Sequence, residues 1–145
     1  MMKKKFLLIF IFINLIFIPK IFAQKISIIY IIENTPITNL EIKNEISYLL
    51  LINSSLREVD QNTLNEFAAR SVIREKIKEI ELKKFFVFGK NENVVNDYIN
   101  NLIADLNLEN KNQFNQLLEE ISLDENFIKR KIEIEILWNS HIYKL

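Results

Sequence analysis

Few residues in this chain can do acid–base or nucleophilic chemistry. There is one histidine, His141, and no cysteine. A serine–histidine–carboxylate arrangement would have to be built on His141, close to the end of the 145 residues. His141 stands beside Trp138 and Tyr143 in sequence, which reads as a packing or surface position rather than a base. Metal binding through histidine and cysteine is excluded by count. The acidic residues form no Asp-x-Asp-x-Asp-Gly loop for a hard cation. One glycine, Gly89, cannot build a glycine-rich phosphate cradle. Glu119 with Glu120, and Glu133 with Glu135, read as solvated helix faces. The sequence therefore predicts no catalytic residue, no metal and no cofactor, and the chain is not expected to be an enzyme.

What remains is apolar surface. Hydrophobic residues make up 49% of the chain and charged residues 26%, a globular balance. With one Gly and two Pro, few tight turns are possible, so long helices are favoured over a many-stranded sheet. Large side chains gather at predicted helix ends: Phe85, Phe86, Phe88, Trp138 and Tyr143. Either these fill the core, or they line a surface for unfolded or extended segments of another polypeptide.

The elements that position them follow from periodicity and caps. Ile26 to Ile32 is β-branched and apolar, a strand buried on both faces or paired at an edge. Glu33-Asn34-Thr35-Pro36 is a turn cluster, and Ile37-Thr38 a brief return strand. Thr38-Asn39-Leu40-Glu41 is a capping box that opens a first helix ending near Leu51 or Ile52. Its inner stripe is Leu40, Ile42, Ile46, Leu49, Leu50 and Asn53, with Glu41, Lys43, Asn44 and Glu45 mostly outside. A second box, Thr63-Leu64-Asn65-Glu66, predicts a long helix over 63–87 with Gly89 at its left-handed C-cap. Helices follow over 93–107 and 112–121. A third box, Ser122-Leu123-Asp124-Glu125, opens the last helix. The expected fold is all-α: an irregular five-helix bundle with a short N-terminal strand or hairpin.

The first residues have another purpose. Lys3, Lys4 and Lys5 precede an apolar run from Phe6 to Ile18 interrupted only by Asn14. Pro19 and Lys20 break the run, and Ala23 supplies the small residue before a cleavage bond. The run is shorter than the roughly 18–20 residues of a spanning helix. Residues 1–23 thus read as a cleavable signal peptide, favoured by length and flanks over an uncleaved membrane anchor, and 24–145 as one exported domain. The first 23 residues hold four of the 19 basic side chains and none of the 19 acidic ones, which leaves a net charge of −4. No basic stripe survives for nucleic acid.

The order of parts resembles a known family. An apolar strand leads through Ile32-Glu33-Asn34-Thr35-Pro36-Ile37-Thr38 directly into a helix, and the long helix carries Val72-Ile73-Arg74-Glu75-Lys76-Ile77. A helix pair joined by a polar stretch runs from Val95 to Leu118, and Phe127 to Asn139 closes the pattern as F-I-K-R-K-I-E-I-E-I-L-W-N. Together these resemble the N-terminal domain of SurA-type periplasmic chaperones, over essentially all of 24–145. The resemblance implies a periplasmic, ATP-independent module that holds unfolded outer-membrane protein segments through weak apolar contacts. In that family the chain continues into parvulin-type prolyl isomerase domains and a C-terminal helix that packs back on the module. Neither is recognisable in these 145 residues, so isomerase activity is not carried over. An uncovered cleft is expected instead, open to a helix-donating partner or a second copy, or left bare in a truncated product.

Overall fold

The computed structural model describes residues 25–143. The predicted signal peptide lies outside these residues. The described chain forms five helices and one two-stranded antiparallel hairpin, as the sequence predicts. The hairpin pairs β1 (Ile28–Ile32) with β2 (Thr35–Thr38). Its two-residue loop, Glu33-Asn34, has φ of 45° and 66°. Two positive φ values at consecutive central residues make a type I′ turn, whose twist matches that of the strands. β1 is paired at an edge and mostly exposed, so the doubly buried alternative is excluded. The anchor of the hairpin is Ile37 of β2, which is fully buried.

Helix α1 (Asn39–Ile52) starts where the first capping box places it. The Glu41 N–H donates to Thr38 Oγ1 at 3.2 Å, and the Thr38 N–H donates to Glu41 Oε2 at 2.8 Å. Asn39 also fastens the start of the hairpin: its N–H donates to the Ser27 carbonyl at 3.0 Å, and its Oδ1 accepts from the Ser27 N–H at 2.9 Å. After a short 3-10 turn at Ser54–Glu58, helix α2 (Gln61–Leu82) begins earlier than Thr63. Asp60 is the true N-cap, accepting from the N–H groups of Asn62 and Thr63 at 3.1 and 3.0 Å. An aspartate three residues upstream satisfies the orphan donors first. Glu66 instead pairs with Arg70 along the surface, at 3.2 Å.

The end of α2 differs too. The helix stops at Leu82, not near residue 87, and the N–H groups of Phe85 and Phe86 turn back to the Leu82 carbonyl at 3.0 and 2.8 Å. Gly89 does have φ of +83°, but it serves the connecting loop rather than the helix end. Stopping early swings Phe86 and Phe88 onto Leu82, Ile134 and Leu137, a small core between α2 and the last helix.

Helices α3 (Glu92–Asp105) and α4 (Lys111–Glu120) both end in Schellman motifs without glycine. Asn107 and Ser122 take φ of 56° and 57°. The following N–H groups, of Leu108 and Leu123, reach back to Ile103 and Leu118 at 3.0 and 2.9 Å. Ser122 therefore closes α4 rather than opening α5 (Glu125–Ile142), whose N-cap is Asp124. The larger core lies here: Ile99, Ile103, Phe114, Leu118, Leu123 and Ile128 join α3, α4 and the first half of α5. Helix α2 is central, packing on α1 and on α5.

A serine in the left-handed region costs about 1–2 kcal/mol relative to glycine, partly offset by the greater freedom of glycine in the unfolded chain. Ser122→Gly should raise stability by about 0.5–1 kcal/mol, read as a higher urea midpoint at unchanged slope. A lower midpoint would instead fit an N-cap role for this side chain.

Candidate functional site

The chemistry of the molecule centres on Lys131 of α5. Its Nζ lies 2.6 Å from Glu45 Oε2 of α1 and also bonds Glu75 Oε2 of α2. Glu45 is 1% exposed and Lys131 7%. The Tyr48 and Phe127 rings flank the ammonium, with centroids 4.9 and 5.4 Å from Nζ. Those two rings meet edge to face at 6.3 Å. One cation shared between two carboxylates, under aromatic cover, ties three helices at one point.

This placement corrects the reading of α1, in which Glu45 belonged to the solvated side. Glu45 stands four residues before Leu49 and seven before Ile52, on the same stripe. Lys131 likewise interrupts the stripe of Phe127, Ile128, Ile132 and Ile134. An opposite charge on each of two apolar stripes was the available signal for a buried pair.

The electrostatics follow from burial and charge balance. Burial works against the Lys131 ammonium, but the carboxylates of Glu75 and Glu45 outweigh it and hold its pKa above the ordinary lysine value. Burial pushes the Glu75 carboxyl up; Lys131 offsets this only in part, and Glu45 and Glu79 add repulsion.

Above this ionic floor lies an open groove of about 580 Å³ between α1, α2 and α5. Tyr48, Leu49 and Ile52 form one wall, Ile132 and Ile136 the other, and Tyr98 of α3 stands at the margin. Lys78 and Glu135 cross it as a surface pair at 2.6 Å. A neighbouring hollow of about 570 Å³, lined by Leu56, Phe67 and Ile73, shares Leu49, Ser71 and Arg74 with the groove. The two adjoin along α1 and α2, with these three side chains as their shared border, a trough in two parts. None of these lining residues was among the five that the sequence singled out.

Those five lie around the far half of α5. His141 stacks on Phe85 at 4.8 Å and meets Phe86 and Trp138 at 6.0 and 6.1 Å, so it is a packing residue in an aromatic cluster. Phe86, Phe88 and Trp138 are half-buried against the small core of Leu82, Ile134 and Leu137. Phe85 is 60% exposed, and Tyr143, at the C-cap of α5, is 90% exposed. The structure thus brings Phe85, Phe86 and Trp138 together around His141. Phe88 lies apart, under the Arg130 guanidinium, whose carbon is 3.6 Å from its ring centroid.

Arg130 belongs to a second ionic network that holds the 83–91 connection against α5. It pairs with Glu79 at 2.8 Å and approaches Glu133 at 3.7 Å. Glu133 is buried and accepts the Gly89 N–H at 2.5 Å, a correction to its reading as a solvated residue. Glu135, two residues along and so on the opposite side of the helix, does face outward and pairs with Lys78. Burial works against the Glu79 carboxylate, but hydrogen bonds from Lys83 and Arg130 outweigh it and hold its pKa below the ordinary value.

No protein-family model, curated protein or solved structure matches the chain. Among the described residues, no helix is long and apolar enough to cross a membrane.

Lys131→Met would leave Glu45 and Glu75 facing each other without a cation. Losing one partner of a buried ionic group costs roughly 3–5 kcal/mol, and a loss of that order is expected at neutral pH. Because burial already raises the Glu75 pKa, protonation relieves the repulsion as pH falls towards the ordinary glutamate range. The deficit relative to the parent protein should therefore shrink at acid pH. In the parent, the raised Lys131 pKa means its contribution is full below the ordinary lysine value and is lost as pH climbs through the folded value. Urea denaturation of both proteins across pH tests the pattern, and a deficit independent of pH would contradict it.

Proposed function

We propose that this chain is a binding module for unfolded or extended polypeptide, acting without a nucleotide. The observation that carries this reading is the open trough between α1, α2 and α5, with an apolar wall on each side. Ile52, Phe67 and Tyr98 are large apolar residues exposed along it. A monomer whose apolar surface served only its core would have little reason to leave such residues in line.

The resemblance to the SurA N-terminal domain supports a specific form of the reading. In that form the protein is exported to the periplasm by the predicted signal peptide. It holds outer-membrane protein segments in transit, with Phe85, Phe86, Phe88, Trp138 and Tyr143 as a further client surface. The physics of the trough is compatible with this role. Many weak contacts on an adaptable surface release by mass action, which suits a compartment without ATP. A net charge of −4 without residues 1–23 would keep the loaded protein soluble. A second reading treats the trough as the seat of one helix from a partner subunit. It is favoured by the mixed lining, where charged Arg74, Lys78 and Glu135 stand among the aliphatic residues and would reward a defined partner.

Light scattering of a denatured outer-membrane porin, diluted with and without the protein, tests the first reading. Suppression of aggregation at a near-stoichiometric ratio is expected. Ile52→Ser with Tyr98→Ser, both at exposed positions, should weaken suppression several-fold while the circular dichroism spectrum is unchanged. A folded parent protein that suppresses nothing would sink the holding role and leave the partner-subunit reading. Full suppression by the double variant would remove the trough as the binding surface.

A further inference from the structure

The two parts of the trough differ in charge. In the groove over the ionic floor, every cation but Arg74 holds a carboxylate: Lys131 has Glu45 and Glu75, and Lys78 has Glu135. The neighbouring hollow takes two arginines, Arg70 and Arg74, and no acidic residue lines it. Arg70 pairs with Glu66 at 3.2 Å, but the two side chains are 70% and 67% exposed, and a surface pair of this kind is weak. Arg74 has no ion-pair partner among the described residues.

The two arginines stand in a row with Lys78. Four residues separate Arg70 from Arg74 and Arg74 from Lys78. The three therefore lie along one side of α2, about 6 Å apart on its axis. At one end of the row the protein itself shows the contact: Glu135 reaches across from α5 and seats its carboxylate on Lys78 at 2.6 Å. Side chains that share a face of an extended strand are two residues apart, about 6.6–6.8 Å. An extended segment along α2 can thus set alternate side chains against successive cations, while the residues between them turn towards the aliphatic side chains of Leu49, Ile52 and Leu56. Without residues 1–23 the chain has a net charge of −4, which repels acidic segments at a distance. A row of cations in the trough reverses that repulsion locally.

We propose, on the polypeptide-holding reading above, that the segments this trough takes are acidic as well as apolar. They are extended stretches in which aspartate or glutamate alternates with large apolar residues, and one carboxylate sits on Arg74. A guanidinium presents a planar fork of donors to a carboxylate, which an ammonium does not. A basic segment meets Arg74 as a like charge instead.

Two peptides, acetylated and amidated so that no terminal charge contributes, test this. One alternates tyrosine with aspartate, the other tyrosine with asparagine. Calorimetric titration into protein expressed from the full sequence, at low ionic strength, should show the aspartate peptide binding about fivefold tighter. Added salt should shrink the difference. Arg74→Gln should remove most of the preference, with the asparagine peptide's affinity and the circular dichroism spectrum unchanged. Lys90→Gln removes the same charge from an exposed position outside the trough and should keep the preference. Equal affinities for the two peptides, or a preference undiminished by Arg74→Gln, overturn the proposal and leave the holding role standing. So does an equal loss in both variants, which would make the preference a matter of net charge. A folded protein that binds neither peptide overturns the proposal together with the holding reading.

Discussion

Everything around the trough depends on the way Lys131 is neutralised. A lysine ammonium brought to near-complete burial needs acceptors, and the two it has come from different helices, Glu45 of α1 and Glu75 of α2. Removing three charges from water costs several kcal/mol per ion, and apolar residues of similar volume would hold the helices together at least as well. What the triad adds is definition. It fixes which faces of α1, α2 and α5 meet and at what depth. It also explains why an open trough lies beside it. The space between α1 and α5 is spanned low down by long charged side chains and closed by the rings of Tyr48 and Phe127. The aliphatic residues farther along α1, Leu49 and Ile52, line open space.

The same logic recurs on the other side of α2, with a different outcome. Glu79 gathers Lys83 and Arg130, and Arg130 lies over the Phe88 ring. Glu133 then takes the Gly89 N–H. These contacts pin the 83–91 connection on α5 and press Phe86 and Phe88 into the small core. Here charge closes a surface, whereas at Lys131 it accompanies an open one. Helix α5 therefore presents two apolar regions of unequal character: an open wall of Ile132 and Ile136, and an aromatic end that is already partly packed.

The sequence disclosed most of this fold where a signal was local. Thr38 and Glu41 make the expected capping box because no better acceptor precedes Thr38. The same pattern at Thr63 was outcompeted by Asp60, and the one at Ser122 was overridden because that residue was needed in the left-handed conformation to end α4. Gly89 looked like a helix terminator because only glycine takes its φ cheaply, yet asparagine and serine fill that role in α3 and α4. The buried ions were not legible for a different reason. Glu45 and Lys131 are 86 residues apart in sequence, and a lone charge on an amphipathic helix looks like the margin of its polar face. Only the pairing across the fold reverses that reading. Glu133 escaped notice for the same reason, since its partner is a backbone N–H.

Two exposed features of the described residues differ in the contacts they offer, and the distinction matters physically. The trough offers aliphatic walls with the charged side chains of Arg74, Lys78 and Glu135 interspersed among them. Under the proposed holding role, contact there would tolerate many sequences and be weak for each. The edge of β1 offers the opposite, directional backbone groups that pair only with an extended segment in register. Any extended segment can pair at such an edge, and the register irregularity between Ile28 and Tyr30 works against it, since a bulge bends the strand and interrupts the ladder.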